Sequence, residues 1–241
     1  MKSSVVVGPG ASYPGGKNGA GVYQQIINQM PPHSQYIEPF LGGGAVLRHK
    51  LPAACSIGID ADGDVVAAFR RAGVPDGVTV ICGDALGWLE DNRGLGADVL
   101  IYCDPPYVRS TRRVVNRDLY RFELTDLDHR RLLRVLRSLK CSVMVSGYWS
   151  DLYARELDGW RTHTFTAMTR GNSPATEWLW MNYPVPLELH DYRFLGCNFR
   201  ERERIKRKKQ RWFDRLSAMP ALERYAVMDA LADLRGGHAR Q

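Results

Sequence analysis

The sequence predicts an α/β domain built on a mostly parallel sheet, and three patterns carry that prediction. Apolar runs of strand length, among them Ala97-Asp98-Val99-Leu100-Ile101 and Cys141-Ser142-Val143-Met144-Val145-Ser146, are separated by segments of helical spacing, as in sheets covered by helices on both faces. A glycine turn, Leu41-Gly42-Gly43-Gly44-Ala45, joins a first strand to a helix. Near the end, two strand patterns flank Gly171-Asn172-Ser173-Pro174, which reads as an antiparallel hairpin closing one edge. With 241 residues, 44% of them hydrophobic, the chain can bury one large core and carry a small appendage.

The elements follow in order. Ser12-Tyr13-Pro14-Gly15-Gly16-Lys17 is a glycine loop ending in a lysine, and Val22 to Met30 has helical spacing and stops at Pro31-Pro32. A Gly-Gly-Lys loop can offer backbone N–H groups and an ammonium to a carboxylate or phosphate. It lacks the spacing of a P-loop. Gln35 to Phe40 reads as the first strand, and Ser56-Ile57-Gly58-Ile59-Asp60 as the next. Asp60 falls 18 residues after Gly42, about the spacing at which an acid takes the ribose hydroxyls of a nucleoside-bearing cofactor. The dinucleotide fingerprint itself is not met, which disfavours nicotinamide chemistry. Each of these glycines also reads as a tight turn, and Asp60 as a surface turn residue. Val78 to Cys82 is a third strand ending in Gly83-Asp84, where Asp84 can accept from an adenine amino group; a helix follows around Ala85 to Asp91. Thr125 caps a later helix, with Asp128 three residues on.

The stretch Tyr102-Cys103-Asp104-Pro105-Pro106-Tyr107 closes the fourth strand. Two prolines stop the strand and hold the backbone extended. A carboxylate, a stiff carbonyl and an aromatic ring then stand at the carboxyl end of a strand, where open α/β sheets bind ligands. Beyond it, Arg109, Arg112, Arg113, Arg117 and Arg121 are interleaved with Tyr120 and Phe122. That stretch reads either as a loop closing over a polyanion or as a disordered surface loop.

Composition narrows the setting. The net charge is +7, and most of it lies in one segment: Arg200, Arg202, Arg204, Lys206, Arg207, Lys208, Lys209 and Arg211 against Glu201 and Glu203. Such a segment suits a polyanionic partner or forms a solvated helix face. The chain changes character at Leu187, which divides it into 1–186 and 187–241, the second part carrying the basic helix and a last helix begun by Pro220. The five cysteines (Cys55, Cys82, Cys103, Cys141, Cys197) are odd in number and lack Cys-x-x-Cys spacing, so they read as reduced thiols of a cytoplasmic protein. No two of the six histidines sit at metal-ligand spacing, and no apolar run is of membrane-spanning length. The expectation is a monomer with no metal and no membrane partner.

Taken together, Glu38-Pro39-Phe40-x-Gly42-Gly43-Gly44, Asp60, Asp84 and Asp104-Pro105-Pro106-Tyr107 make the chain resemble the Dam-like adenine-N6 DNA methyltransferases. The match runs from about Tyr13 to Tyr183 and keeps the family's order of a Gly-Gly-Lys segment, a Phe-x-Gly-x-Gly loop and Asp-Pro-Pro-Tyr. The resemblance implies a Rossmann-like class I methyltransferase fold. It implies S-adenosylmethionine across the first strands, with Glu38, Phe40, Gly42 and Gly44 at its methionine half. Tyr13 and Lys17 hold that end, Asp60 takes the ribose and Asp84 the adenine amino group. Asp104 and the carbonyl of Pro105 accept the two hydrogens of the target amino group, and Tyr107 stacks on a base that has left the duplex. DNA is the implied partner, met by Arg109, Arg112, Arg113, Lys206, Arg207, Lys208 and Lys209. Cys103 lies outside the Pro-Cys context of cytosine-C5 chemistry and is read as structural.

One departure matters. Many Dam-like enzymes carry a recognition segment between the glycine loop and Asp-Pro-Pro-Tyr, and here helices and one strand fill that interval. Recognition then falls to the loop from Val108 to Phe122, the turn from Thr169 to Thr176 and the basic helix, which are mostly phosphate-binding in type. Short or relaxed sequence specificity is the consequence. Three other readings share these residues: an RNA adenine-N6 methyltransferase, a cytosine-N4 methyltransferase and a nucleic-acid-binding protein that has lost catalysis.

Overall fold

The computed structural model describes residues 16–19, 21–112, 120–168 and 173–237. The chain forms two compact units, Met1–Phe194 and Leu195–Gln241. The first holds seven strands: β1 (Gln35–Glu38), β2 (Cys55–Asp60), β3 (Val78–Cys82), β4 (Val99–Cys103), β5 (Ser142–Gly147), β6 (Arg161–Met168) and β7 (Pro174–Met181). They stand in one sheet in the order β3-β2-β1-β4-β5-β7-β6. The first five pair in parallel, while β7 runs antiparallel to both β5 and β6. This is the Rossmann-like, mostly parallel arrangement expected, with the antiparallel hairpin at one edge.

Helices cover both faces, and β1, β4, β5 and β7 each feed two cores. Ile37, Val99, Ile101, Cys103, Val143 and Val145 pack on α4 (Ala85–Asp91), α5 (Asp126–Ser138) and α6 (Asp151–Glu156) through Leu86, Leu89, Leu132, Leu136 and Leu152. The alternate residues Tyr36, Leu100, Tyr102, Met144, Leu179 and Met181 pack on α1 (Val22–Ile27), α2 (Ala45–His49) and α3 (Gly63–Arg71) through Ile26, Val46 and Phe69. All five residues of β4 are buried, which is why that strand reads as a continuous apolar run. The sequence pattern singles out neither α3 nor α6. Both are short, and their starts are fixed by side-chain caps: Asp62 accepts from Asp64 N–H, and Ser150 from Tyr153 N–H. Thr125 and Asp128 form the capping box expected at α5.

The chain runs outward from β1 through β2 to β3, then returns to place β4 beside β1. The crevice at the carboxyl ends of β1 and β4 is therefore the switch point of the sheet, where ligands bind in open α/β folds. The glycine turn leaves β1 there, and Asp104-Pro105-Pro106-Tyr107 leaves β4.

Residues 187–194, grouped by composition with the extension, are tied to the first unit. Asp191 is buried and accepts from Leu51 N–H at 2.9 Å, Arg193 donates to the His49 carbonyl at 2.8 Å, and Asn28 donates to the Phe194 carbonyl at 2.5 Å. The second unit holds α7 (Phe199–Ser217) and α8 (Ala221–Gly237). Asn198 caps α7 by accepting from Glu201 N–H at 2.9 Å, and Pro220 precedes α8, where its missing N–H costs nothing. None of the side chains of α7 is buried. No helix among the described residues is long and apolar enough to cross a membrane.

Candidate active site

Four acids stand at the carboxyl ends of four adjacent parallel strands: Asp84 beyond β3, Asp60 on β2, Glu38 on β1 and Asp104 beyond β4. The first three each accept from backbone N–H groups, Glu38 from a side-chain hydroxyl as well. Gly42 donates its N–H to Asp60 Oδ2 at 2.8 Å, and Asp62 donates to Oδ1 at 2.9 Å. The acid after β2 thus shapes the glycine turn after β1. Burial pushes the Asp60 carboxyl up, and these two N–H bonds oppose the shift. Asp84 caps α4, accepting from Leu86 N–H at 3.1 Å and Gly87 N–H at 3.0 Å. Glu38 is buried and accepts from the Tyr36 hydroxyl at 2.8 Å and from Leu47 N–H at 3.0 Å. Burial carries its carboxyl up to about 8 against those bonds, and the nearby charge of Asp104 adds to the rise.

The turn itself needs glycine at two places. Gly42 and Gly44 have φ of 49° and 61°, in the left-handed region that costs other residues about 1 kcal/mol or more. A Cβ on Gly44 would also lie 2.4 Å from Cε2 of Phe69. Gly43 between them is exposed, and Phe40 is partly buried against the α4–α5 core.

Asp104 is held by side chains instead. Its Oδ1 accepts from Lys17 Nζ at 2.9 Å and from Ser146 Oγ at 2.7 Å, and Ser146 is in turn 3.1 Å from the Tyr102 hydroxyl. Among the described residues, no hydrogen bond reaches Asp104 Oδ2 or the carbonyl of Pro105. Lys17 also donates to the Tyr107 hydroxyl at 2.6 Å, and that hydroxyl donates to Glu177 Oε2 at 2.5 Å. Lys17 Nζ and Glu177 Oε2 are 3.8 Å apart. Burial alone would lower the Lys17 pKa, but the charges of Asp104 and Glu177 outweigh it and hold the ammonium above its usual range. Burial pushes Glu177 up, and Lys17 pulls it back. The Tyr107 ring is buried with Tyr148 set edge-on at 4.7 Å. Its carbonyl accepts from Arg112, whose guanidinium forms a fork with Glu123 at 2.7 and 2.6 Å.

The residues singled out by sequence therefore fall in distinct places. Tyr13 and Arg113 lie outside the described residues. Lys17 meets Asp104, Tyr107 and Glu177, on the β4 side of the crevice and not on the glycine turn. Tyr107 directs its hydroxyl inward. Arg112 is buried against Tyr107 and Glu123, and Arg109 is exposed in a 3₁₀ turn over Arg109–Thr111. Lys206, Arg207, Lys208 and Lys209 are exposed on α7. Consecutive on a helix, they point in four different directions.

Sequence reasoning missed Ser146, Glu123 and Glu177. One signal for Glu177 was present. In the alternation of β7 it shares a face with Leu179 and Met181, which are both buried. An acid on a buried face needs a partner, and in the fold Lys17 lies 3.8 Å from it. Among the described residues, no group of three or more His, Cys, Asp or Glu side chains is arranged to hold a metal ion.

No protein-family model matches the sequence, and no curated protein matches it. Solved structures do. A SAM-dependent methyltransferase from Agrobacterium tumefaciens is 15% identical with a TM-score of 0.43, covering 66% of this chain; this chain covers only 58% of that protein. Precorrin-6y C5,15-methyltransferase from Geobacter metallireducens is 12% identical with a TM-score of 0.42, covering 65% of this chain and 84% of its own. Precorrin-8w decarboxylase from Methanobacterium thermoautotrophicum is 14% identical with a TM-score of 0.42, covering 75% and 94%. None of these likenesses reaches into the chemistry of the site.

Proposed function

We propose that the protein transfers the methyl group of S-adenosylmethionine to the exocyclic N6 amino group of adenine in DNA, with the base turned out of the duplex. The observation that carries this reading is the pair of acceptors left by the fold: Asp104 Oδ2 and the Pro105 carbonyl, at the switch point, with no partner among the described residues. An exocyclic amine presents two N–H donors, and two fixed acceptors on adjacent residues match them. The cofactor half fits as well. Asp84, Asp60 and Glu38 form a row of acceptors with lone pairs to spare, and a nucleoside with an amino group and two ribose hydroxyls presents the matching donors.

When bound, S-adenosylmethionine supplies an electrophilic methyl group on a sulfonium. The chain's own residues do the rest. The lone pair of an aromatic amine is delocalised into the ring. Acceptance of its two hydrogens by Asp104 and Pro105 draws the nitrogen toward tetrahedral geometry and localises that pair for attack. Proline fixes the carbonyl, Ser146 and Lys17 fix the carboxylate, and Arg112 fixes the backbone behind it, so the acceptors need no reorganisation at the moment of reaction. Asp104 Oδ2 then takes the surplus proton from the methylated nitrogen and passes it to solvent. Tyr107, with its hydroxyl held inward by Lys17 and Glu177, offers a ring edge fixed in position to the entering base. Only α3, β3, α4 and β4 occupy the interval between Asp60 and Asp104, which favours short or relaxed sequence specificity.

The test is tritium transfer from labelled S-adenosylmethionine to duplex DNA, single-stranded DNA and structured RNA, with identification of the methylated nucleoside and mapping of sites. The expected product is N6-methyladenine in DNA at a short, loosely defined site. Label in RNA, label on cytosine N4, one long and strict site, or cofactor binding without any transfer would each replace part of this reading.

A further inference from the structure

The basic segment of α7 is not a uniformly charged rod. At 100° per residue, Arg200, Arg204, Arg207, Arg211 and Arg215, spaced by four, three, four and four, fall within an arc of about 80°. All five are exposed. Arg202, Lys206 and Lys209 project to the far side. Ile205, Trp212 and Leu216 lie about a third of a turn from the stripe. The neighbouring acids spend their bonds elsewhere: Glu201 accepts from Cys197 N–H at 2.9 Å and reaches Arg204 only at 3.6 Å, and Asp214 accepts from Gln210 at 2.7 Å. An exposed pair at 3.6 Å contributes little and yields readily to a stronger anion.

We propose that this arginine stripe is a docking ridge for the phosphate backbone of duplex DNA. Its ends are fifteen residues apart, about 22 Å at 1.5 Å per residue. That length spans about six base-pair steps of a duplex measured along its axis, at 3.4 Å each. All five positions are arginine, whose planar fork binds phosphate oxygens in pairs, whereas the lysines of the segment lie beside or behind the stripe. A membrane surface fits less well. A helix lying in a membrane interface needs a broad apolar face, and here Arg202 and Lys209 interrupt the apolar side. The choice of DNA as the polymer rests on the proposed methyl transfer; the geometry of the ridge does not.

The experiment compares two charge-matched variants of the full chain. Arg204, Arg207 and Arg211→Gln removes three charges from the stripe; Arg202, Lys206 and Lys209→Gln removes three from the far side. Binding to a mixed-sequence duplex of about 25 base pairs is measured without cofactor by fluorescence anisotropy over a range of salt, with helix content checked by circular dichroism. The stripe variant is expected to lose on the order of 100-fold at low salt and to flatten the salt slope by roughly 3, at about 0.9 per phosphate contact. The far-side variant should stay within about threefold, with a nearly unchanged slope. Equal losses would mean that bulk charge and not the ridge binds, and no loss in either would remove the ridge altogether. Tighter stripe-dependent binding to anionic vesicles or duplex RNA would overturn the choice of partner. If the stripe variant loses helix, the charge-keeping variant Arg204, Arg207 and Arg211→Lys takes its place. It should keep the slope and lose several-fold in affinity, and full affinity would refute the arginine fork. No methyl transfer enters the readout. Stripe-dependent binding without catalysis would therefore remove only the enzymatic reading, and catalysis without stripe-dependent binding only the ridge.

Discussion

The two sides of the crevice hold their acids by opposite means. On the β1–β3 side, Glu38, Asp60 and Asp84 each take backbone N–H groups, from Leu47, from Gly42 and Asp62, and from Leu86 and Gly87. On the β4 side, Asp104 takes an ammonium and a hydroxyl, and the residues behind it are joined through Lys17, Tyr107 and Glu177. Backbone donors come with the turn and survive most changes of side chain. In the side-chain network one ammonium serves the buried Glu177 and the partly exposed Asp104, so losing a member leaves another charge short of a partner. The first side is a shape and the second is a balance of charges.

Two substitutions separate these descriptions, the larger effect first. Asp104→Asn keeps the shape but replaces an acceptor-only group with an amide. It is expected to lower kcat on the order of 10³-fold, with S-adenosylmethionine affinity within a few-fold, read by single-turnover transfer and calorimetry. Residual activity within tenfold of the parent would remove Asp104 from its role. Gly44→Ala should act on the other side. With φ at 61° and a Cβ 2.4 Å from Phe69, it forces the turn to move at a cost of about 2–4 kcal/mol. The expected outcome is a lower Tm and at least tenfold weaker cofactor binding, with cofactor-independent DNA binding unchanged. An unchanged cofactor affinity would show that the turn is only a packing element.

The same contrast explains what could be read in advance. The glycine turn, Asp60 and Asp84 are legible because their partners are near in sequence or follow from strand order; an acid at the end of β2 faces a turn at the end of β1 in any sheet of this order. The sheet was legible for the same reason, since the buried run of β4 and the turn at 171–174 are local signals. The Asp104 network was not. Lys17, Ser146 and Glu177 come from the glycine loop, β5 and β7, and only the fold brings them together. The resemblance assigns Lys17 to the cofactor, and nothing nearby in sequence points to the carboxylates it meets in the fold. Arg112 looked like a phosphate contact for the same reason; its partner Glu123 lies across the residues outside the description. The run Lys206 to Lys209 shows the reverse case, since neighbours in sequence diverge on a helix.

The smallest effect tests the charge balance most closely. Glu177→Gln keeps an oxygen to accept from the Tyr107 hydroxyl and removes only the charge. Of the two carboxylates, Lys17 then faces only Asp104 as a charge, and its pull on that carboxylate is no longer shared with Glu177. Asp104 becomes a poorer acceptor for the substrate amine, so kcat is expected to fall about tenfold, while KM and cofactor affinity change by less than about threefold. Lys17→Met alone should cost more, because it leaves the Asp104 and Glu177 carboxylates without their shared cation. Joining it to Glu177→Gln should recover part of that loss, since one of the two charges is then gone. A double-mutant cycle on kcat measures the coupling. Strict additivity would show that Lys17 and Glu177 act independently, and the β4 side would then be a shape like its neighbour. A coupling of 1 kcal/mol or more, read together with an unchanged cofactor affinity, would confine the charge balance to the half of the crevice that holds the amine.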